Sequence, residues 1–156
     1  MMSDVASSSN SSKKYDVFLS FRGEDTRMNF TSHLHEVLKQ KKVETYIDYR
    51  LEKGDEISPA LIKAIEDSHV SIVIISENYA FSKWCLEELS KILECRKIQG
   101  QIVIPVFYNI DPSHVRKQTG SYEQAFVKHQ EDFRCNKWRA ALAEVANFSG
   151  WDSRNR

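Results

Sequence analysis

The sequence contains no apolar run close to the roughly 18 residues that a membrane-spanning helix requires. Its N-terminal segment, MMSDVASSSNSSKK, has neither an arginine nor the apolar stretch of a secretory signal. We therefore expect no membrane span, no secretory signal and no transit peptide. Residues 1–13 are rich in serine and are predicted to form a disordered lead, because they offer too little apolar surface to pack.

Glycine and cysteine are both scarce. The three cysteines include no CxxC pair and no zinc-like spacing with histidine, so we predict no metal site and reduced thiols in a cytoplasmic or nuclear protein. The acidic pair of a magnesium-dependent phosphotransfer domain is also missing. Nor can the glycines form a GxGxxG or P-loop phosphate-binding motif, since they are only five, at positions 23, 54, 100, 120 and 150.

Net charge is absent as well, because 22 Lys and Arg balance 22 Asp and Glu. No overall field attracts nucleic acid or an anionic membrane, so neither is a predicted partner. A charged ligand must instead be bound by a local cluster. With 156 residues, 41% of them hydrophobic, the chain has the size and composition of one ordinary domain.

Apolar runs alternate with helical patterns along the chain. YDVFLS, VETYI, VSIVIIS and IVIPVFY read as strands, although Pro105 removes a ladder hydrogen bond from the last of them. Phe30, Leu34, Val37 and Leu38 are spaced as the apolar stripe of a helix. The alternation predicts an α/β fold, a doubly wound five-stranded parallel sheet flanked by helices, with the common strand order 2-1-3-4-5. A weak fifth strand is sought between the helical segments SYEQAFVKHQ and NKWRAALAEVANFSGW.

Helix ends carry clear signals. Ser58 with Pro59 predicts a helix start, and Ser82 predicts the cap of a later helix that ends near Gly100.

The predicted strand order places a ligand crevice between the first and third strands, beside the loops FRGEDTR and SENYAFSKW. Backbone N–H groups near Gly23, with the guanidinium groups of Arg22 and Arg27, offer a receptor for a pyrophosphate or carboxylate. An internal network of Arg22 with Glu24 and Asp25 is an equally good interpretation.

The segment SKWCLEEL contains two adjacent carboxylates near a helix start. Helical periodicity places Glu87 almost opposite the buried face and Glu88 on its flank, beside the indole of Trp84. The helix N-terminus favours an ionised carboxylate there. A flat aromatic side chain beside a carboxylate could bind a ribosylated ring. The alternative is a tryptophan at the edge of the core with two solvent-exposed glutamates.

Four longer stretches resemble the Toll/interleukin-1 receptor (TIR) domain of plant immune receptors: YDVFLSFRGEDTRMNFTSHL, IDYRLEKGDEISPALIKAIEDS, VIISENYAFSKWCLEEL and IPVFYNIDPSHVRKQTGSYEQAF. The resemblance covers residues 14–151, leaves 152–156 as a C-terminal tail, and implies a flavodoxin-like sheet. It also implies an enzyme that cleaves NAD⁺ at the nicotinamide–ribose bond on self-association, with NADP⁺ left open. NAD⁺ is then the substrate, and no cofactor is expected.

The resemblance assigns roles to particular residues. The catalytic carboxylate falls on Glu88, while Glu87 stands where the family frequently has aspartate. The implied nucleotide pocket contains Phe21, Arg22, Ser82 and Trp84. A loop from Asp48 through Gly54 to Ile57 is expected to close over the site or to meet a neighbouring subunit. Contacts with other TIR domains are expected at Ser32, His33 and Gly120.

Two other functions use the same fold. One is a non-catalytic module that only assembles with other TIR domains in defence signalling. The other is flavin binding, which the absence of an evident phosphate loop disfavours.

Overall fold

The computed structural model describes residues 13–47 and 57–154, apart from the side chains of residues 27 and 28. Of the predicted disordered lead, only Lys13 lies within the described residues, and its ammonium donates to the Glu66 carbonyl. Asp48 and Gly54, in the predicted loop over the site, lie outside the described residues.

Five strands alternate with helices, as predicted. The strands are β1 (Tyr15–Ser20), β2 (Thr45–Tyr46), β3 (Ser68–Ile75), β4 (Ile102–Phe107) and β5 (Trp151–Asp152). The α-helices are α1 (Gly23–Thr26), α2 (Ser32–Gln40), α3 (Pro59–Glu66), α4 (Lys83–Gln99), α5 (Pro112–Lys117), α6 (Ser121–Lys128) and α7 (Cys135–Val145). A π-helical turn, Arg27–Thr31, joins α1 to α2, and a 3₁₀ turn, Tyr79–Phe81, precedes α4.

The sheet has the order β2-β1-β3-β4-β5, and every pairing is parallel, which confirms the predicted architecture. β3 lies at its centre, and its second half is buried on both faces, since Val73 and Ile75 belong to one core and Ile74 to the other. The predicted helix signals are confirmed too: Ser58 Oγ accepts from the Leu61 N–H at 3.2 Å, and Gly100 closes α4 in a left-handed conformation with φ 71°.

The two faces of the sheet carry cores of different size. The larger core contains residues of α3, α4, α6 and α7, and the smaller core lies under α2, against Phe30, Leu34 and Leu38. Val37, predicted to share that stripe, is 46% exposed, so its place in the stripe was wrong. Ile102 and Ile104 alternate with core residues of β4 and are exposed. Within the described residues, no helix is long and apolar enough to cross a bilayer.

The fifth strand follows the last helix, so its predicted place between the last two helical segments was wrong. β5 pairs Trp151 with Val106 and Asp152 with Phe107, so the boundary drawn after Trp151 falls inside the strand. Two residues carry no usable hydrophobic period, which is why the pattern missed β5. Pairing with β4 begins just after Pro105, whose missing N–H removes one ladder donor.

Candidate active site at the carboxyl ends of the central strands

The carboxyl ends of β1 and β3 are neighbours, and the loops that follow them are joined at Asp25. The Ser76 hydroxyl and the Asn78 N–H both donate to Asp25 Oδ2, the latter at 3.0 Å. These are the two loops predicted to flank the crevice. In a doubly wound sheet this is the point where the winding reverses and ligands bind.

Glu88 lies on the first turns of α4 and is only 5% exposed. The Trp84 indole donates to its Oε2 at 2.9 Å, which confirms that the two side chains project side by side. The alternative of a solvated Glu88 is therefore wrong. α4 begins here because the Ser82 hydroxyl accepts from the Cys85 N–H at 3.0 Å, so Ser82, predicted to bind substrate, caps the helix.

Ser20 is a second hydrogen-bond partner of Glu88, and sequence reasoning missed it. Its hydroxyl donates to Glu88 Oε1 at 2.7 Å and also lies 2.8 Å from the Tyr79 hydroxyl. Strand alternation was the available signal: Val17 and Leu19 face the smaller core, so Ser20 must face α4 like Phe18. A polar residue ending an apolar strand on that face is a site candidate.

Tyr79 is fully buried, and its hydroxyl also lies 3.1 Å from the Cys85 carbonyl. Burial raises the pKa of Tyr79 well above its usual value, and the nearby Cys85 and Glu88 raise the pKa further. The phenol therefore stays protonated and acts as a hydrogen-bond donor at physiological pH.

Arg22 takes part in the internal network that sequence reasoning left open. Its guanidinium lies 3.0 Å from Glu24 and 3.2 Å from Asp25. Its buried Nε meets no acceptor among the described residues, so the group keeps one unused donor. The side chain of Arg27 lies outside the described residues.

The other two residues predicted for the pocket after β1 have different surroundings. The Phe21 side chain is buried in the smaller core, while its carbonyl lies 3.5 Å from the Cys85 sulfur. Gly23 begins α1, a helix of four residues.

Glu87 does not lie opposite the buried face, contrary to the prediction. Its carboxylate accepts from the buried Trp138 indole at 2.7 Å and lies 3.1 Å from Lys137 and 3.6 Å from Arg134. The prediction failed because periodicity treats α4 as having one buried side, whereas α7 packs on a second side.

His129 binds the backbone of the 3₁₀ turn before α4. This histidine is 1% exposed, and its Nε2–H donates to the Ala80 carbonyl at 2.8 Å. Burial lowers the pKa of His129, so the ring is neutral and Nε2 carries the proton. The turn that carries Tyr79 is thereby attached to the core.

The remaining predicted site residues lie on other parts of the surface. Ile57 packs partly against the larger core and lines a cavity of about 280 Å³ with Glu87 and Lys137. Ser32 donates to the Asn29 carbonyl at 3.0 Å, and His33 is exposed beside it on α2. Gly120 is exposed before α6 with φ 63°, so the two predicted self-association surfaces are on different elements.

All three cysteines are buried, and none forms a disulfide. Within residues 13–47 and 57–154 there is no cluster of three or more His, Cys, Asp or Glu side chains suited to a metal ion.

Comparisons with known proteins agree with this architecture. The family model of the TIR domain matches residues 14–156. The chain is 55% identical over 139 residues to disease resistance protein RPV1 of Vitis rotundifolia, covering 88% of this chain and 10% of that protein. It is 54% identical to TMV resistance protein N of Nicotiana glutinosa, covering 94% of this chain and 13% of that protein. The chain thus spans only about an eighth or less of these relatives' lengths.

Among solved structures, the TIR domains of the activated Roq1 resistosome, which recognises the pathogen effector XopQ, superpose with a TM-score of 0.85 at 50% identity. The match covers 91% of this chain and 89% of that one. The TIR domain of a Toll-related receptor from Hydra magnipapillata, at 22% identity and a TM-score of 0.51, shares the fold.

Proposed function

Because the chain belongs to the TIR-domain family and its relatives are plant disease resistance proteins, we propose that it is an NAD⁺ nucleosidase of plant immune signalling. It cleaves the bond between nicotinamide and ribose and releases ADP-ribose or a cyclised form. The observation that carries this proposal is the buried Glu88 carboxylate, held by Trp84 and Ser20 at the switch point of the sheet.

The chemistry requires little more than that carboxylate. When the carbon–nitrogen bond breaks, its electron pair leaves with nicotinamide, which becomes neutral and needs no general acid. Positive charge develops on the ribose, as in glycoside cleavage. A fixed carboxylate beside the ribose stabilises that charge in a site of low dielectric. Water then adds to the ribosyl carbon and loses a proton, or an atom of the same nucleotide adds and closes a ring.

Trp84 and Ser20 are uncharged donors to Glu88, and they hold the carboxylate in place. The Trp84 indole lies beside the carboxylate and supplies a flat surface for the nicotinamide or ribose. In the loop after β1, where Gly23 begins α1, the buried Nε of Arg22 has no acceptor among the described residues, and we assign the pyrophosphate to this loop. The substrate is NAD⁺, with NADP⁺ as an alternative, and the expected compartment is the cytoplasm or the nucleus.

The competing function is a non-catalytic TIR–TIR interaction module. The likeness to TIR domains that form part of a resistosome favours assembly in either case. The two functions separate in one experiment: concentrated, purified protein is incubated with NAD⁺, and nicotinamide is followed by chromatography. Nicotinamide release supports the enzyme, whereas self-association without release supports the module.

Activity is expected to rise with protein concentration. The crevice is formed by loops at the strand ends, and the resemblance implies that the 48–57 loop meets a neighbouring subunit, which would complete the site. Nicotinamide release per molecule should therefore increase between dilute and concentrated protein, in parallel with self-association measured by light scattering. A constant rate per molecule would show that each monomer has a complete site.

The double substitution Ser32→Ala with His33→Ala is expected to lower self-association and NAD⁺ cleavage together. In a two-fold contact the same patch faces itself, so each change acts twice. Both residues are outside the buried cores, so the free energy of unfolding should change by no more than about 0.5 kcal/mol. Fusion to an oligomerising partner should restore part of the cleavage, because the residues around Glu88 are intact.

A matched control lies at the other end of the same helix. Lys39→Ala with Gln40→Ala also removes two exposed side chains of α2 and should leave association unchanged. Full cleavage by the Ser32/His33 variant at low concentration would show that this surface does not activate the enzyme.

A further inference from the structure

The two oxygens of Glu88 are held from opposite elements. Trp84 reaches Oε2 from one turn earlier on α4, whereas Ser20 reaches Oε1 from the end of β1. The bond from Trp84 is local to the helix. The hydrogen bond from Ser20 therefore fixes the position of the Glu88 carboxylate relative to the sheet. The geometry of this bond depends on the groups that orient the Ser20 hydroxyl.

Counting protons gives the direction of the bonds at Ser20. Its hydroxyl has one proton, which goes to the Glu88 carboxylate because an ionised carboxylate only accepts. The 2.8 Å contact between the Ser20 and Tyr79 hydroxyls then requires the Tyr79 proton. The longer contact from Tyr79 to the Cys85 carbonyl, at 3.1 Å, shares that proton, and this carbonyl lies inside α4, where helix bonds satisfy it.

We propose that Tyr79 and Ser20 form a relay of hydrogen bonds that positions Glu88 for cleavage of the nicotinamide–ribose bond. The chain runs from the Tyr79 hydroxyl to Ser20 Oγ and on to Glu88 Oε1, with all three side chains at most 5% exposed. This inference rests on the proposed function. Ser20 and Tyr79 are fully buried and so do not touch the substrate; they act through Glu88.

A relay of this kind predicts a specific kinetic result. Ser20→Ala removes a donor to Oε1 and should lower kcat about 10- to 100-fold, by analogy with the loss of groups that orient metal ligands. Tyr79→Phe leaves the ring in place and should lower kcat about fivefold, the equivalent of one neutral hydrogen bond. The KM for NAD⁺ should stay unchanged, because neither residue contacts the nucleotide.

The chain provides a matched control for each change. Ser68 is also a fully buried strand serine, but its hydroxyl donates to the Ala64 carbonyl at 2.7 Å. Tyr122 is also a fully buried tyrosine, and its hydroxyl donates to the Ser76 carbonyl at 2.6 Å. Ser68→Ala and Tyr122→Phe should lower the melting temperature about as much as the relay variants while leaving kcat near that of the wild type.

The double variant distinguishes a relay from two separate structural effects. If Tyr79 acts only through Ser20, adding Tyr79→Phe to Ser20→Ala should lower kcat no further. Multiplicative losses in the double variant, or kcat losses as large in the two controls, would overturn the relay.

A measurement independent of activity completes the test. The chain has three tryptophans, so ¹⁵N labelling gives three indole N–H signals by NMR. The Trp84 signal should move in Ser20→Ala and Tyr79→Phe, because its acceptor is displaced, and should stay in place in the two controls. If the chemical shift of the Trp84 indole N–H is the same in Tyr79→Phe as in the wild type, the relay is overturned. A wild-type protein that releases no nicotinamide overturns the proposed function, while the Trp84 signals still decide whether the relay exists.

Discussion

Replacing Glu88 by glutamine is expected to lower nicotinamide release from NAD⁺ by about 10²- to 10³-fold, the usual effect of removing one preorganised electrostatic group. Glutamine has the shape of glutamate and still offers an oxygen, but it has no charge to stabilise the ribosyl cation. Glu88→Ala should be at least as inactive. The measurement is the initial rate of nicotinamide release at equal, high protein concentration, with the melting temperature recorded for each variant.

Glu87→Gln is the matched control, with the same change one residue earlier. The structure also shows why Glu87→Ala is a poor choice: alanine would leave the buried Trp138 indole N–H without its acceptor and destabilise the packing of α4 against α7. Glutamine keeps an acceptor there and removes only the charge facing Lys137 and Arg134. Equal rates for Glu87→Gln and Glu88→Gln would remove Glu88 from the mechanism.

Gly150→Ala is expected to lower the stability more than alanine at Gly100 or Gly120. A Cβ atom at this position would lie 2.2 Å from the Pro105 carbonyl oxygen and 2.6 Å from its Cγ. Neither the backbone oxygen nor the rigid ring can move away without shifting β4 or β5. We expect a loss of about 3 kcal/mol, at the upper end of the usual cost of overpacking. The melting temperature should fall by roughly 10 °C.

Gly100→Ala is the control that distinguishes the steric clash at Gly150 from the effect of replacing any glycine by alanine. Gly100 has φ 71°, and a Cβ there would meet nothing within 4 Å, so the substitution costs only backbone strain of about 1 kcal/mol. Thermal unfolding followed by circular dichroism compares the two variants. If they melt at the same temperature, β4 and β5 can separate at little cost, and the close approach of Gly150 to Pro105 does not constrain the sheet.

Most of the fold follows from local patterns. The largely apolar runs VSIVIIS and IVIPVFY predict β3 and β4, because parallel strands with helices on both sides of the sheet bury most of their side chains. Ser82 and Gly100 set the ends of α4, because caps satisfy backbone groups that the helix itself cannot. These signals need no knowledge of distant residues.

Half of the candidate site was also predictable. Trp84 and Glu88 are four residues apart on one helix, so helical geometry alone brings them together. Their place at the crevice followed from the order of the strands. The catalytic role of Glu88 and the substrate NAD⁺ remain predictions from the resemblance.

The sequence by itself therefore determined most of the elements and the pairing of Trp84 with Glu88, because these depend on local periodicity and capping. The strand order followed from the order that is common in doubly wound sheets. Only the tertiary structure decided the contacts between distant elements. It brought Ser20 and Tyr79 to Glu88, placed Glu87 against Trp138 and located β5 beside β4. For Ser20, Tyr79 and Glu87 the physical reason is that helical and strand periods indicate one buried side of an element, whereas packing decides which neighbours cover its sides. β5 is too short to carry a period at all.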